Sequence, residues 1–68
     1  MIVGFNTKSH EVHDQILEHP ALGLDVDAYV AVNPENVGKT YKNVRVRGSL
    51  DELLDIVYKT HAAEVIIA

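Results

Sequence analysis

The sequence predicts an α/β fold, a parallel sheet of short apolar strands joined and covered by helices. Three observations carry that prediction. Apolar segments at Ile2-Val3, at 28–32 and at 64–68 stand apart from stretches whose apolar residues recur at helical spacing. The first strand runs straight into Gly4, the start of a turn that opens a helix. Ser49-Leu50-Asp51-Glu52 matches a capping box, in which the hydroxyl and the carboxylate satisfy each other's free backbone donors.

Each element follows in order. Ile2 and Val3 suit a short buried strand. From Thr7 or Ser9 to about His19, Val12, Ile16 and Leu17 fit one helical face, and Glu11 and Asp14 near the start suit the helix dipole. Pro20 disfavours helix at His19, and Gly23 lets the chain reverse. The segment 27–32 is apolar almost throughout, as a strand covered on both faces should be. Asn33-Pro34-Glu35-Asn36 and Gly38 are turn signals. Val44-Arg45-Val46-Arg47 alternates apolar with basic, which predicts a half-exposed edge strand. The second helix places Leu50, Leu53, Leu54 and Val57 on its apolar side, with Asp51, Glu52, Asp55 and Lys59 opposite. Glu64-Val65-Ile66-Ile67-Ala68 is the last strand.

Right-handed crossovers then give β-α-β-β-α-β in three layers, with the four strands in the spatial order 3-2-1-4. This is most of one half of a Rossmann sheet, whose ligands dock at the switch point between the first and last strands. Residues 1–68 form one domain, and a chain that begins and ends in apparently buried strands is expected to be a fragment truncated at its C-terminus. A domain this small buries only about 60 % of its unfolded surface. With no cysteine, neither a disulfide nor a thiolate-bound metal supplements the core.

Ten acidic against six basic residues give a net charge of −4, which argues against a nucleic-acid partner. Lys39, Lys42, Arg45 and Arg47 are the one basic cluster, read as a solvated strand face or a phosphate contact. No apolar run approaches the roughly 20 residues of a membrane span. Without a signal peptide, the expected location is cytoplasmic.

The turn after the first strand is the candidate site. In a Gly-x-Gly-x-x-Gly fingerprint a phosphate rests on bare backbone at a helix N-terminus. Gly4 keeps the first position, while Asn6 and Ser9 replace the second and third glycines. A nucleotide, NAD or another, would be held by Gly4, Phe5, Asn6, Thr7 and Ser9. The acidic residue that grips a ribose falls about 20 positions further on. Ala31 stands 22 residues after Ser9, and Asn33 is the first polar side chain at that strand end. Asn33 is therefore the sixth candidate, with a weaker acceptor than a carboxylate.

Other side chains carry less. His10 and His13 share a helical face at i, i+3, but no third ligand is spaced for a metal, so both read as solvated. Tyr29 and Tyr58 read as packing residues, and Tyr41 as a candidate ligand contact. No catalytic constellation emerges.

Ile2-Val3-Gly4, His19-Pro20-Ala21-Leu22-Gly23-Leu24, the 28–32 strand with Asn33-Pro34-Glu35, Val44-Arg45-Val46-Arg47-Gly48-Ser49-Leu50-Asp51-Glu52-Leu53 and Glu64-Val65-Ile66-Ile67-Ala68 form an ordered series over the whole chain. Together they resemble the cytoplasmic Rossmann-like, CoA-binding-like domain of bacterial polyprenyl-phosphate sugar-1-phosphate transferases, which start exopolysaccharide or O-antigen units. The same module precedes the catalytic domain of membrane-bound nucleotide-sugar epimerase/dehydratases. The resemblance implies a non-catalytic regulatory or scaffold domain of a sugar-phosphate transferase in the inner membrane. The alternative is the cofactor half of an NAD-dependent epimerase/dehydratase. Its implied ligand is a nucleotide or nucleotide-sugar. The sequence departs from the family pattern at Asn6, Ser9, Ala31 and Val32, where a nucleotide would sit. An apolar edge at 64–68 adds an expected homo-oligomer.

Overall fold

A computed structural model of the chain describes residues 1–62 and 64–68. Its elements are β1 (Ile2–Val3), α1 (Thr7–Glu18), β2 (Tyr29–Ala31), β3 (Thr40–Tyr41), β4 (Val44–Ser49), α2 (Leu53–Thr60) and β5 (Ile66–Ile67). Single 3-10 turns occupy Pro20–Leu22, Pro34–Asn36 and Leu50–Glu52. The strands form one sheet in the order β3-β4-β2-β1-β5. The fold is α/β.

Strands β4, β2, β1 and β5 run parallel, with Ile2 opposite both Tyr29 and Ile66, and Tyr29 opposite Val46. β3 pairs antiparallel with β4, so the sheet is mixed and the expectation of a strictly parallel sheet is corrected. The connecting turn explains why. Lys42 and Asn43 both take positive φ, 48° and 69°, the backbone of a tight two-residue hairpin. The usual Asn-Gly signal is missing, so the sequence does not announce the extra strand. β4 alternates as expected, with Arg45 and Arg47 exposed and Val46 buried, but β3 covers it and it is not an edge.

Period-two alternation sends the strand side chains to two cores, one on each sheet face. On one face Ile2, Tyr29, Ala31 and Val46 pack with Ile16 of α1. On the other, Met1, Val3, Ala28 and Val30 pack with Ile56 of α2. Helix, sheet and helix therefore make three layers. A register shift between Tyr29 and Val30 brings Val30 opposite Gly48. α2 approaches the backbone there so closely that a Cβ on Gly48 would lie 2.7 Å from Ile56 Cδ1.

That contact sets the rotation of α2. Leu53, Ile56 and Val57 face the sheet, while Leu54 is 85 % exposed. The expected stripe through Leu50 and Leu54 is corrected, because the first turn at Leu50–Glu52 is 3-10 and breaks the 3.6-residue phase. Tyr58 also points outward, at 82 % exposure, contrary to its reading as a packing residue. α1 ends at Glu18, as His19-Pro20 requires, and Gly23 turns the chain in the left-handed conformation. Its first turn holds no acidic residue; Asp14 lies further along, facing the β3–β4 hairpin.

Candidate functional site

The β1–α1 turn is built around Gly4. Its N–H continues the parallel ladder by donating to the Val30 carbonyl at 2.7 Å, and its φ is 118°. A Cβ here would collide with the backbone carbonyl of Ala68 beyond β5. Glycine is required twice over, by conformation and by the approach of the neighbouring strand.

Asn6 and Ser9 then close a reciprocal cap on α1. Asn6 Oδ1 accepts from the Ser9 N–H at 2.9 Å, and Ser9 Oγ accepts from the Asn6 N–H at 2.9 Å. Ser9 is fully buried, so its small side chain also permits the close helix-to-sheet packing for which a glycine serves in the fingerprint. Two amides that could cradle a phosphate are thus engaged within the protein. Releasing them would forfeit caps worth about 1 kcal/mol each, against roughly 1.4 kcal/mol for tenfold in affinity.

The remaining candidates fall along the same end of the sheet. Phe5 is half-buried, and Thr7 is exposed at the first position of α1. Asn33 follows β2, which neighbours β1, so the fold brings it to the same sheet end as Gly4. Its Oδ1 accepts from the Glu35 N–H at 3.0 Å and caps the Pro34–Asn36 turn. Asn33 therefore already has a local structural task.

A second locus was not foreseen. Phe5, His10, His13, Tyr29 and Tyr41 form a continuous aromatic cluster between α1 and the sheet. The His10 ring stacks on Tyr41 at 3.9 Å and 5°, and its Nε2 is buried without a hydrogen-bond partner. His13 is 2 % exposed, with Nδ1 2.6 Å from the Tyr29 hydroxyl. The reading of both histidines as solvated is corrected: the i, i+3 face carrying them points at the sheet. Tyr41 is a packing residue here, donating from its hydroxyl to Asp14 at 3.0 Å.

Burial determines the protonation of this cluster. It pushes the Tyr29 phenol up to about 12, so Tyr29 keeps its proton, and the hydroxyl lies in hydrogen-bond contact with His13 Nδ1. Burial also lowers the His13 imidazole below its usual 6.5, the opposing pull of Asp14 notwithstanding. Lys42 Nζ lies 2.6 Å from Asp14 Oδ1 and holds that carboxylate below its ordinary range. The same contact raises Lys42.

Only weak signals for this locus exist in the sequence. Tyr29 is 16 residues from His13, and Tyr41 is 27 from Asp14, so no local spacing marks either pair. Among the described residues, no group of three or more His, Cys, Asp or Glu is placed to hold a metal. A cavity of about 280 Å³ opens at the other end of the strands, beside Met1, Asp25, Asp27, His61 and Glu64. No helix is long and apolar enough to cross a membrane among the described residues. No family model matches the chain, and neither curated proteins nor solved structures give a match.

Proposed function

We propose that this chain is a non-catalytic Rossmann-like regulatory or scaffold domain, of the cytoplasmic kind that accompanies bacterial polyprenyl-phosphate sugar-1-phosphate transferases. The observation that carries the non-catalytic reading is the Asn6–Ser9 cap, which engages two of the amides at the turn where a nucleotide phosphate would rest. The ordered resemblance of the strands and turns to that family supplies the parent. Its scaffold role is a matter of surfaces. β5 stands at the sheet edge with Ile67 82 % exposed, beside an apolar groove formed by Val12, Leu22, Leu24 and Ile66. Self-association through that edge belongs to the same reading.

Titration with NAD(H), NADP(H), CoA, UDP-sugars and cyclic dinucleotides, followed by amide NMR shifts, tests it. The expected result is no sub-millimolar binding at residues 4–9. Tight binding centred there would instead favour a cofactor-binding domain. Reading the flanking gene separates the parents: a downstream tyrosine-lysine catalytic pair would replace the transferase with an NAD-dependent epimerase/dehydratase.

A further inference from the structure

We propose that the β3–β4 hairpin is a pH-sensitive latch on α1, held shut by Asp14 while His13 is neutral and released when that imidazole takes a proton. The argument is independent of whether the Gly4 turn binds a nucleotide.

Three features converge on the latch. The hairpin tip carries Lys42 and Asn43 in the left-handed region, which L side chains adopt at a cost. What holds the tip down comes from α1: Asp14 accepts from both Tyr41 and Lys42. Beneath the clasp lie two imidazoles, His10 with its unpartnered buried Nε2 and His13 almost wholly enclosed. The positive-φ tip and the unpartnered His10 nitrogen both cost free energy in the closed arrangement.

The groups facing His13 decide the response. From α1 come His10 and Asp14, from β2 Tyr29, from the hairpin Tyr41 and Lys42, and more distantly Asp25. Neutral His13 is hydrogen-bonded to Tyr29. Protonated, it becomes a buried cation beside Lys42 and His10, and Asp14 is the nearest anion. Lys42 already uses that carboxylate. Two cations then compete for one partner, and the hairpin carries the more exposed of them, so the tip lifts. Val30 packs in the core on the opposite sheet face, with Met1, Val3, Ala28 and Ile56, and is the reference for a core that the clasp does not touch.

Imidazole ring NMR from pH 8 to pH 4 tests the latch, with core amides such as Val30 recorded in parallel. Stacking on Tyr41 displaces the His10 ring resonances by ring current. The expected result is loss of that displacement with the midpoint of His13 titration, below pH 6.5, while the Val30 environment stays unchanged. His13→Gln, which remains neutral, should keep the stack through the same range. Should that variant not fold, Asp14→Asn serves instead and should leave the rings unstacked even at pH 8. The idea fails if the wild-type stack survives His13 protonation, if His13→Gln opens at the wild-type pH, or if the core amides are lost with the same midpoint.

Discussion

Asn6 and Ser9 hold each other's backbone amides at 2.9 Å, making one reciprocal cap from the two side chains that stand in place of glycines. The two residues that break the Gly-x-Gly-x-x-Gly spacing are also those that start α1. Two amides of the turn are thereby spent on its own helix.

Asn6→Ala removes the acceptor for the Ser9 amide. It should destabilise the domain by about 1 kcal/mol, a shift in Tm of roughly 4–8 °C for a chain of this size. The double variant Asn6→Gly with Ser9→Gly restores the three-glycine pattern and frees both amides. Nucleotide-dependent amide shifts at residues 4–9 should be stronger in it than in the parent chain. Equal responses would show that the cap does not control access.

Gly4 and Gly38 separate two reasons for needing glycine. Both have positive φ, 118° and 89°, but an added Cβ meets the Ala68 carbonyl at Gly4 and open space at Gly38. Gly38→Ala should cost only the conformational strain, about 1 kcal/mol by urea denaturation. Gly4→Ala adds displacement of β5 from β1, so its loss should exceed roughly 2 kcal/mol. Similar losses at both sites would contradict the close approach of β5.

Tyr29→Phe keeps the ring contacts with Phe5 and removes the hydroxyl in hydrogen-bond contact with His13 Nδ1. A buried nitrogen left unpaired costs about 1–3 kcal/mol, so equilibrium unfolding at pH 8 should show a loss in that range. A neutral outcome would mean that water reaches His13.

These contrasts explain what the sequence could disclose. Period-two strands, the Ser49–Glu52 cap and the His19-Pro20 stop are local, and the chain states them openly. Glu52 Oε1 does reach back to the Ser49 N–H at 3.4 Å. The histidine cluster depends on β2 and the hairpin closing over α1, and each residue alone resembles a surface or packing residue. The α2 face is hidden in the sequence because Leu50, Leu53, Leu54 and Val57 make an apolar stripe of their own. Gly48 instead admits Ile56, which tertiary packing prefers over the periodic pattern. Asn6 and Ser9 are legible in the sequence as departures from a fingerprint, while their reciprocal bonds depend on the backbone of the turn.

Global stability should depend on pH at both ends. His13 is lowered in the folded chain, so its contribution is complete above 6.5, and stability falls as pH drops below that value. Asp14 is also lowered, and its contribution is lost in a second step below 3.8. Tyr29 runs the other way: raised to about 12 from 10.0, it favours the folded state below pH 10, and stability declines as pH rises from there toward 12. Urea midpoints against pH should therefore form a plateau between about 6.5 and 10. Tyr29→Phe should flatten the alkaline limb, and an unchanged limb would assign it to other groups.

Ile67→Lys tests the sheet edge. Ile67 pairs with Val3 through β5 yet leaves 82 % of its surface exposed, so the substitution alters the edge without emptying a core site. A charged edge side chain opposes strand addition. Light scattering over a wide concentration range should show mass rising with concentration for the parent chain and a constant monomer mass for Ile67→Lys. Circular dichroism should be the same for both. A parent chain that stays monomeric at every concentration would remove self-association from the proposed scaffold role and leave the nucleotide argument standing, because the Asn6–Ser9 hydrogen bonds involve no atom of Ile67.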